Sequence, residues 1–249
     1  MNLCNTERSI ASVANKTSLY FLTVDNSQSN KILSALPKTE YQNLRDLLEP
    51  VELSAGEILL TSKKELEFLY FPVEGIVSIL SEMNNGATTE IGLVGSEGMV
   101  GTPQFIGQGV CQSCSIVQVK GRAMRIQAEA LRVEFDRTES LQKLLLQYAL
   151  KLFNQVSQVA ACNNHHTIKQ RTARWLLMLS DRYGKNKKIL PMTHQLLSEM
   201  LGVRRTGITI AAGQIQQRGI IDYNRGKIQI LDRPALEEVA CECYRILKI

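Results

Sequence analysis

Residues Thr193–Arg218 read THQLLSEMLGVRRTGITIAAGQIQQR, and the order of residue types in this stretch decides how the whole chain is to be read. A hydroxyl residue, Thr193, stands where a helix N-cap belongs, and Leu196, Leu197, Met200 and Leu201 follow at the 3–4 spacing of one buried helical face. Gly202-Val203 supplies a tight break, and a second helix opens at Arg204 with two arginines and an inner face of Ile208, Ala212 and Ile215. Two helices joined by a tight turn, with cations on the first turn of the second, suit the major groove of DNA. On that expectation the contacting residues are Thr193, His194, Arg204, Arg205, Thr206, Thr209 and Gln214. Arg204, Arg205, Thr206 and Thr209 lie where base edges come within reach, and an arginine can take guanine in a bidentate fork.

Downstream, GIIDY and KIQIL are two short β-patterned runs joined by Asn224-Arg225-Gly226, a hairpin wing whose Arg225 and Lys227 are phosphate contacts. Pro234 to Leu247 read as one closing helix. Upstream, Thr167–Tyr183 has helical periodicity and ends at Gly184 and a run of lysines. The charge divides accordingly: residues 161–249 carry 15 Lys+Arg against 7 Asp+Glu, and the remainder carries 14 against 17. A basic third on a slightly acidic body is the asymmetry of a chain that meets nucleic acid through one end.

The body has a different grain. Short apolar runs such as EILL, FLYFPV, GIVSIL and SCSIVQV, broken by glycines and by Asn85-Gly86, fill residues 51–126 and imply an antiparallel roll. Beyond Gln127 the period changes to that of a helix about 25 residues long without Gly or Pro. Leu141, Leu145, Tyr148, Leu152, Val156 and Val159 form its apolar stripe, which reads as a seam against a second copy. The expected organisation is therefore α+β: a loosely ordered leader over 1–30, a roll over 31–135, a dimerisation helix over 136–163 and a winged helix-turn-helix over 164–249.

That order of parts resembles the Crp/Fnr superfamily of bacterial regulators, the group that contains the cyclic-AMP receptor protein. The likeness spans residues 30–249 and is strongest in RTARWLLML, in LLSEMLGVRRTGITIAAGQIQQRGIIDYNRGKIQILD, in the tail ACECYR, and in LSAGEILL, LYFPVEGIVSIL and GLVGSEGMVG of the roll. It implies a transcription regulator and not an enzyme. The implied form is a homodimer joined through the long helix, its two recognition helices in successive major grooves of a near-palindromic site. The implied partners are double-stranded DNA, RNA polymerase and an effector of unknown identity.

The departures from the family are specific. Glu97 keeps the position of the glutamate that holds a ribose, but the family's phosphate-binding arginine falls at about Cys111. An anionic phosphate would be poorly compensated there, which argues against cyclic AMP. Only Cys4 precedes the roll, which argues against an iron–sulfur cluster, and no haem is expected either. An effector pocket would draw on Glu97, Gly98, Cys111, Gln112 and Ser113. In the recognition helix Arg205 matches the family, whereas Thr206 and Ile210 stand where the family has a glutamate and a later arginine, so the operator should differ from the commonest half-site.

Six cysteines in a cytoplasmic chain are expected as thiols. The pairs Cys111/Cys114 and Cys241/Cys243 fall in different domains, and Cys162 with His165 and His166 closes a long helix, so these read as ordinary core residues with no metal site. Redox gating through Cys111 and Cys114 stands as the alternative mechanism. A metal-dependent β-roll enzyme finds no support, because His165, His166 and His194 all lie outside the roll. No run of about 18 apolar residues is present, no secretory leader is expected, and the cytoplasm is the expected compartment.

Overall fold

The computed structural model describes residues 29–107, 110, 113–183 and 189–248. The expected leader lies outside them except for Ser29 and Asn30. Asn30 is no loose end: it is fully buried, caps the first helix through Oδ1, and donates from Nδ2 to the carbonyls of Pro72 and Gly98, each at 2.9 Å. Two short helices, α1 (Lys31–Ser34) and α2 (Lys38–Arg45), flank Pro37.

The roll is built from β1 (Glu49–Leu53), β2 (Ile58–Leu60), β3 (Phe68–Glu82), β4 (Thr88–Val94) and β5 (Ser113–Gln127), with helix α3 (Thr102–Gly107) before the last strand. They form one sheet in the order β1-β5-β3-β4, with β2 also against β5. The β1–β5 register runs from Glu49 opposite Arg125 to Leu53 opposite Gly121. The Asn85-Gly86 hairpin forms as expected, with Met83 N–H donating to the Ala87 carbonyl at 2.8 Å across the loop.

Two helices follow, α4 (Ala128–Arg137) and α5 (Glu139–His165), parted by Thr138 in an extended conformation. Of the residues expected to face a second copy, Leu141, Leu145, Tyr148, Leu152 and Val159 are buried within the chain, and Val156 is half-buried. Tyr148 packs so closely on Gly98 that a methyl group there would sit 2.1 Å from its ring. The expected seam is thus the helix's own core face. A second apolar stripe, Leu146, Leu150 and Phe153, is 50%, 60% and 66% exposed, and it continues through Ser157 and Ala160 at alternating 4–3 spacing.

The C-terminal part contains α6 (Ile168–Tyr183), β6 (Ile189–Pro191), α7 (His194–Leu201), α8 (Arg205–Gln217), β7 (Ile221–Asn224), β8 (Lys227–Ile230), α9 (Arg233–Val239) and α10 (Cys243–Leu247). Helix α6 begins in a reciprocal cap, Thr167 N–H donating to Gln170 Oε1 at 3.1 Å while Gln170 N–H donates to Thr167 Oγ1 at 3.4 Å. It is buried on every side from Arg171 to Leu179, as suits a helix around which others pack. The wing gains a third strand unforeseen in sequence, in the order β6-β8-β7. The single closing helix expected over Pro234–Leu247 is instead two, because the backbone at Ala240 is extended (ψ 155°).

The described residues divide into two compact units, those of 29–77 with 94–149 and those of 78–93 with 150–248. In the second unit the β3–β4 hairpin is an integral wall. Glu90 on β4 accepts hydrogen bonds from Ser78 Oγ and from the Trp175 indole N–H, both at 2.7 Å, and all three groups are buried. No helix of the described residues is long and apolar enough to cross a membrane.

Candidate nucleic-acid interface

Helix α7 is fixed at both ends. Thr193 Oγ1 accepts from Leu196 N–H at 3.1 Å, and Gly202 ends the helix in the left-handed region (φ 61°), returning its N–H to the carbonyls of Ser198 and Glu199. A side chain at Gly202 would be strained by that φ and would also sit 2.5 Å from Thr89 Oγ1 on β4. Helix α8 leaves the turn with Ile208, Ala211, Ala212 and Ile215 buried. Arg204, Arg205, Thr206, Thr209 and Gln214 are all exposed, on the side away from that inner face.

The first turn of α8 contains no acidic residue. Two guanidinium groups therefore stand at the positive end of the helix dipole, an arrangement that is unfavourable until an anion approaches. His194 is committed within the protein. Its ring stacks on Tyr223 at 4.0 Å, its Nδ1 lies 3.2 Å from Thr209 Oγ1, and burial followed by the charge of Arg205 lowers its pKa below the usual histidine range. Thr209 likewise donates to the Arg205 carbonyl at 3.1 Å. Both residues brace α7 against α8.

Sequence reasoning passed over Ile210 as a contact. It is 62% exposed on α8, one turn from both Thr206 and Gln214. Such an aliphatic side chain can meet a thymine methyl. The signal was available, since an isoleucine in the exposed register of an amphipathic helix breaks the pattern.

The wing is a two-residue hairpin. Asn224 pairs with Lys227, and Arg225 and Gly226 both have positive φ (46° and 76°), the backbone of a turn matched to the strand twist. Arg225 accepts a left-handed backbone that favours Gly or Asn, and in doing so its side chain stands at the tip beside exposed Lys227. Tyr223 N–H donates to Gln216 Oε1 at 3.3 Å, tying the wing to the recognition helix.

Comparison with known proteins agrees with this geometry. Residues 50–138 match the model of the cyclic nucleotide-binding domain, and residues 170–239 match that of the Crp-like helix-turn-helix domain. The transcriptional regulator SdrP of Thermus thermophilus is 26% identical over 200 residues, covering 77% of this chain and 94% of the relative. The two domain matches, in this order, are those of a regulator of the Crp/Fnr type. The fold of the chain is shared with a Crp/Fnr-family regulator from Eubacterium rectale (TM-score 0.69, 17% identity, 85% of this chain and 98% of that one). It is also shared with FixK2 from Bradyrhizobium japonicum (TM-score 0.67, 14% identity, 78% and 98%). The relatives are transcription regulators, and the chain is one of them rather than an enzyme.

Within this Crp/Fnr chain the expected effector residues are only partly placed. Glu97 lies in the loop after β4, and Gly98 is buried under Tyr148. Ser113 opens β5 and is buried, while Cys111 and Gln112 lie outside the described residues. Cys114 is buried and disulfide-bonded, against the expectation that every cysteine is a thiol. From Met99 to Val119 the sequence holds no Lys or Arg, so this segment supplies no cation for a cyclic phosphate. The cysteines expected to be scattered core residues are gathered in part: Cys162, Cys241 and Cys243 form one buried cluster, with His166 beside it.

Proposed function

We propose that this Crp/Fnr regulator acts in the cytoplasm as a homodimer that reads a near-palindromic operator through α8, and that its roll does not take a cyclic nucleotide. The observation that carries the reading is the outer face of α8. Arg204, Arg205, Thr206, Ile210 and Gln214 are solvent-exposed, on a helix braced from behind by α7 and at its end by the wing. Arg205 is the base-reading residue, Ile210 adds apolar contact, and Arg225 and Lys227 hold phosphates. The second copy meets the first along Leu146, Leu150 and Phe153. RNA polymerase is the partner that would turn occupancy of the operator into a change of transcription.

Redox gating through Cys111 and Cys114 is not favoured, because Cys114 is disulfide-bonded and only 1% exposed, and thiol–disulfide exchange needs access to the sulfur. Genome-fragment selection with the full-length protein, followed by footprinting, tests the reading. The expected result is a protected site of two symmetric halves one helical turn apart, with Arg205→Ala weakening binding by about 1–3 kcal/mol per half and relaxing one base position in each half. Failure to select any symmetric site, or equal loss on all sequences with Arg205→Ala, would refute it.

A further inference from the structure

We infer that Cys162, His166, Cys241 and Cys243 form a closed four-ligand site for a thiophilic divalent cation of the zinc type, joining the end of α5 to the segment between α9 and α10. The four ligand atoms all lie within 4.8 Å of one another. Cys162 Sγ is 3.5 Å from Cys241 Sγ, and Cys243 Sγ is 3.6 Å from His166 Nδ1. A tetrahedral zinc with bonds of about 2.3 Å to sulfur and about 2.0–2.1 Å to nitrogen sets sulfur–sulfur edges of about 3.8 Å and sulfur–nitrogen edges of about 3.6 Å. The observed spacings match a single ion. An iron–sulfur cluster, whose thiolates bind different irons, needs its ligands farther apart.

The local backbone is shaped for this convergence. Cys162 and His166 are four residues apart, and the i→i+4 hydrogen bond from His166 N–H to the Cys162 carbonyl (3.1 Å) keeps them on one face. Cys241 and Cys243 are two residues apart and would point to opposite sides of a continuous helix. The extended backbone at Ala240 interrupts that helix, and both sulfurs turn to the same point.

The surroundings are those of a ligand set. The second ring nitrogen of His166, Nε2, lies 3.2 Å from Glu242 Oε1, the carboxylate–histidine arrangement that fixes the tautomer of a metal-binding imidazole. Gln158 Nε2 donates to Cys243 Sγ at 3.0 Å, treating that sulfur as an acceptor. Arg171 and Arg174 of α6 are buried, each with an Nε that lacks a hydrogen-bond partner, and their charges act on Cys162. A zinc bound by three thiolates and a neutral imidazole carries a net negative charge, which compensates these guanidinium groups. Four protein ligands leave no open position, so the role is structural.

The test uses the full-length protein, purified under reducing conditions without chelator. Elemental analysis should find one zinc per chain. After chelation, cobalt(II) should restore one equivalent with the intense visible bands of tetrahedral thiolate coordination, an assay that needs no variant to fold. Cys243→Ser and His166→Ala should lose the metal, whereas Cys4→Ser should keep it. Glu242→Gln, at an exposed carboxylate, should hold one zinc with about 10–100-fold weaker affinity against a chromophoric chelator. Substoichiometric metal with no cobalt bands, iron with acid-labile sulfide, or a Cys162–Cys241 disulfide under reducing conditions would each overturn the inference. So would loss of metal from Cys4→Ser.

Discussion

Replacing Glu90 by Gln should make the second unit more stable at alkaline pH and leave it unchanged at acid pH. Glu90 is fully enclosed, and burial raises its pKa from 4.5 to about 7, although the hydrogen bonds from Ser78 and Trp175 and the charges of Arg174 and Arg182 all act to lower it. The folded form thus binds a proton that the unfolded chain has released across the interval between those two values. Stability is fully present below about pH 4.5, falls through the interval, and reaches its floor above about pH 7. A shift of about 2.5 units at 1.36 kcal/mol each gives roughly 3 kcal/mol. The amide of Gln stays neutral, can accept from the indole through its oxygen, and can donate to Ser78.

The assay is direct because Trp175 is the only tryptophan in the chain. Denaturant unfolding followed by its fluorescence reports on the very group that Glu90 holds. The difference between Glu90→Gln and the parent should be near zero at about pH 4 and approach 3 kcal/mol by about pH 8. Histidines titrate alike in both proteins and cancel from this difference. Parallel stability curves, within about 0.5 kcal/mol across the range, would refute the buried-carboxylate argument.

Two further outcomes are expected. Phe153→Glu introduces a charge into the exposed stripe of α5 and should convert the protein to monomers in sedimentation measurements, whereas an unchanged mass would place the pairing surface elsewhere. Lys227→Ala should weaken binding to all DNA sequences alike and reduce the magnitude of the salt slope by about 0.9 for each copy in the dimer, with binding titrations at several salt concentrations as the check.

Much of the interface was legible because its signals are local. Thr193 as a cap, Gly202 as a left-handed stop and the Arg225-Gly226 turn each act within a few residues, so sequence order alone exposes them. The long helix was harder. Its 3–4 periodicity reveals that an apolar stripe exists but not what covers it, and α5 has two. The stripe richer in large residues, through Leu141, Leu145 and Tyr148, is covered by the chain itself, and the sparser one is left to solvent.

Contacts across long sequence separations were not legible. Cys162 and Cys241 are 79 residues apart, and the only sequence hints were the i→i+4 pair on one side and the CxC on the other. Glu90 reads as an ordinary polar residue of an alternating strand, and only the arrival of Trp175, 85 positions later, makes it a buried acid. Strand β6 escaped notice because three residues ending in proline carry no periodicity.

The second compact unit is discontinuous, and this bears on how the protein could be recombined with its relatives. A graft cut at the sequence boundary near residue 164 would take α6–α10 but abandon the β3–β4 hairpin and the end of α5. Trp175 would lose its acceptor, Gly202 its neighbour Thr89, and Cys241 its sulfur contact with Cys162. The DNA-reading half is not a cassette: exchanging it intact means carrying residues 78–93 and 150–166 along with it.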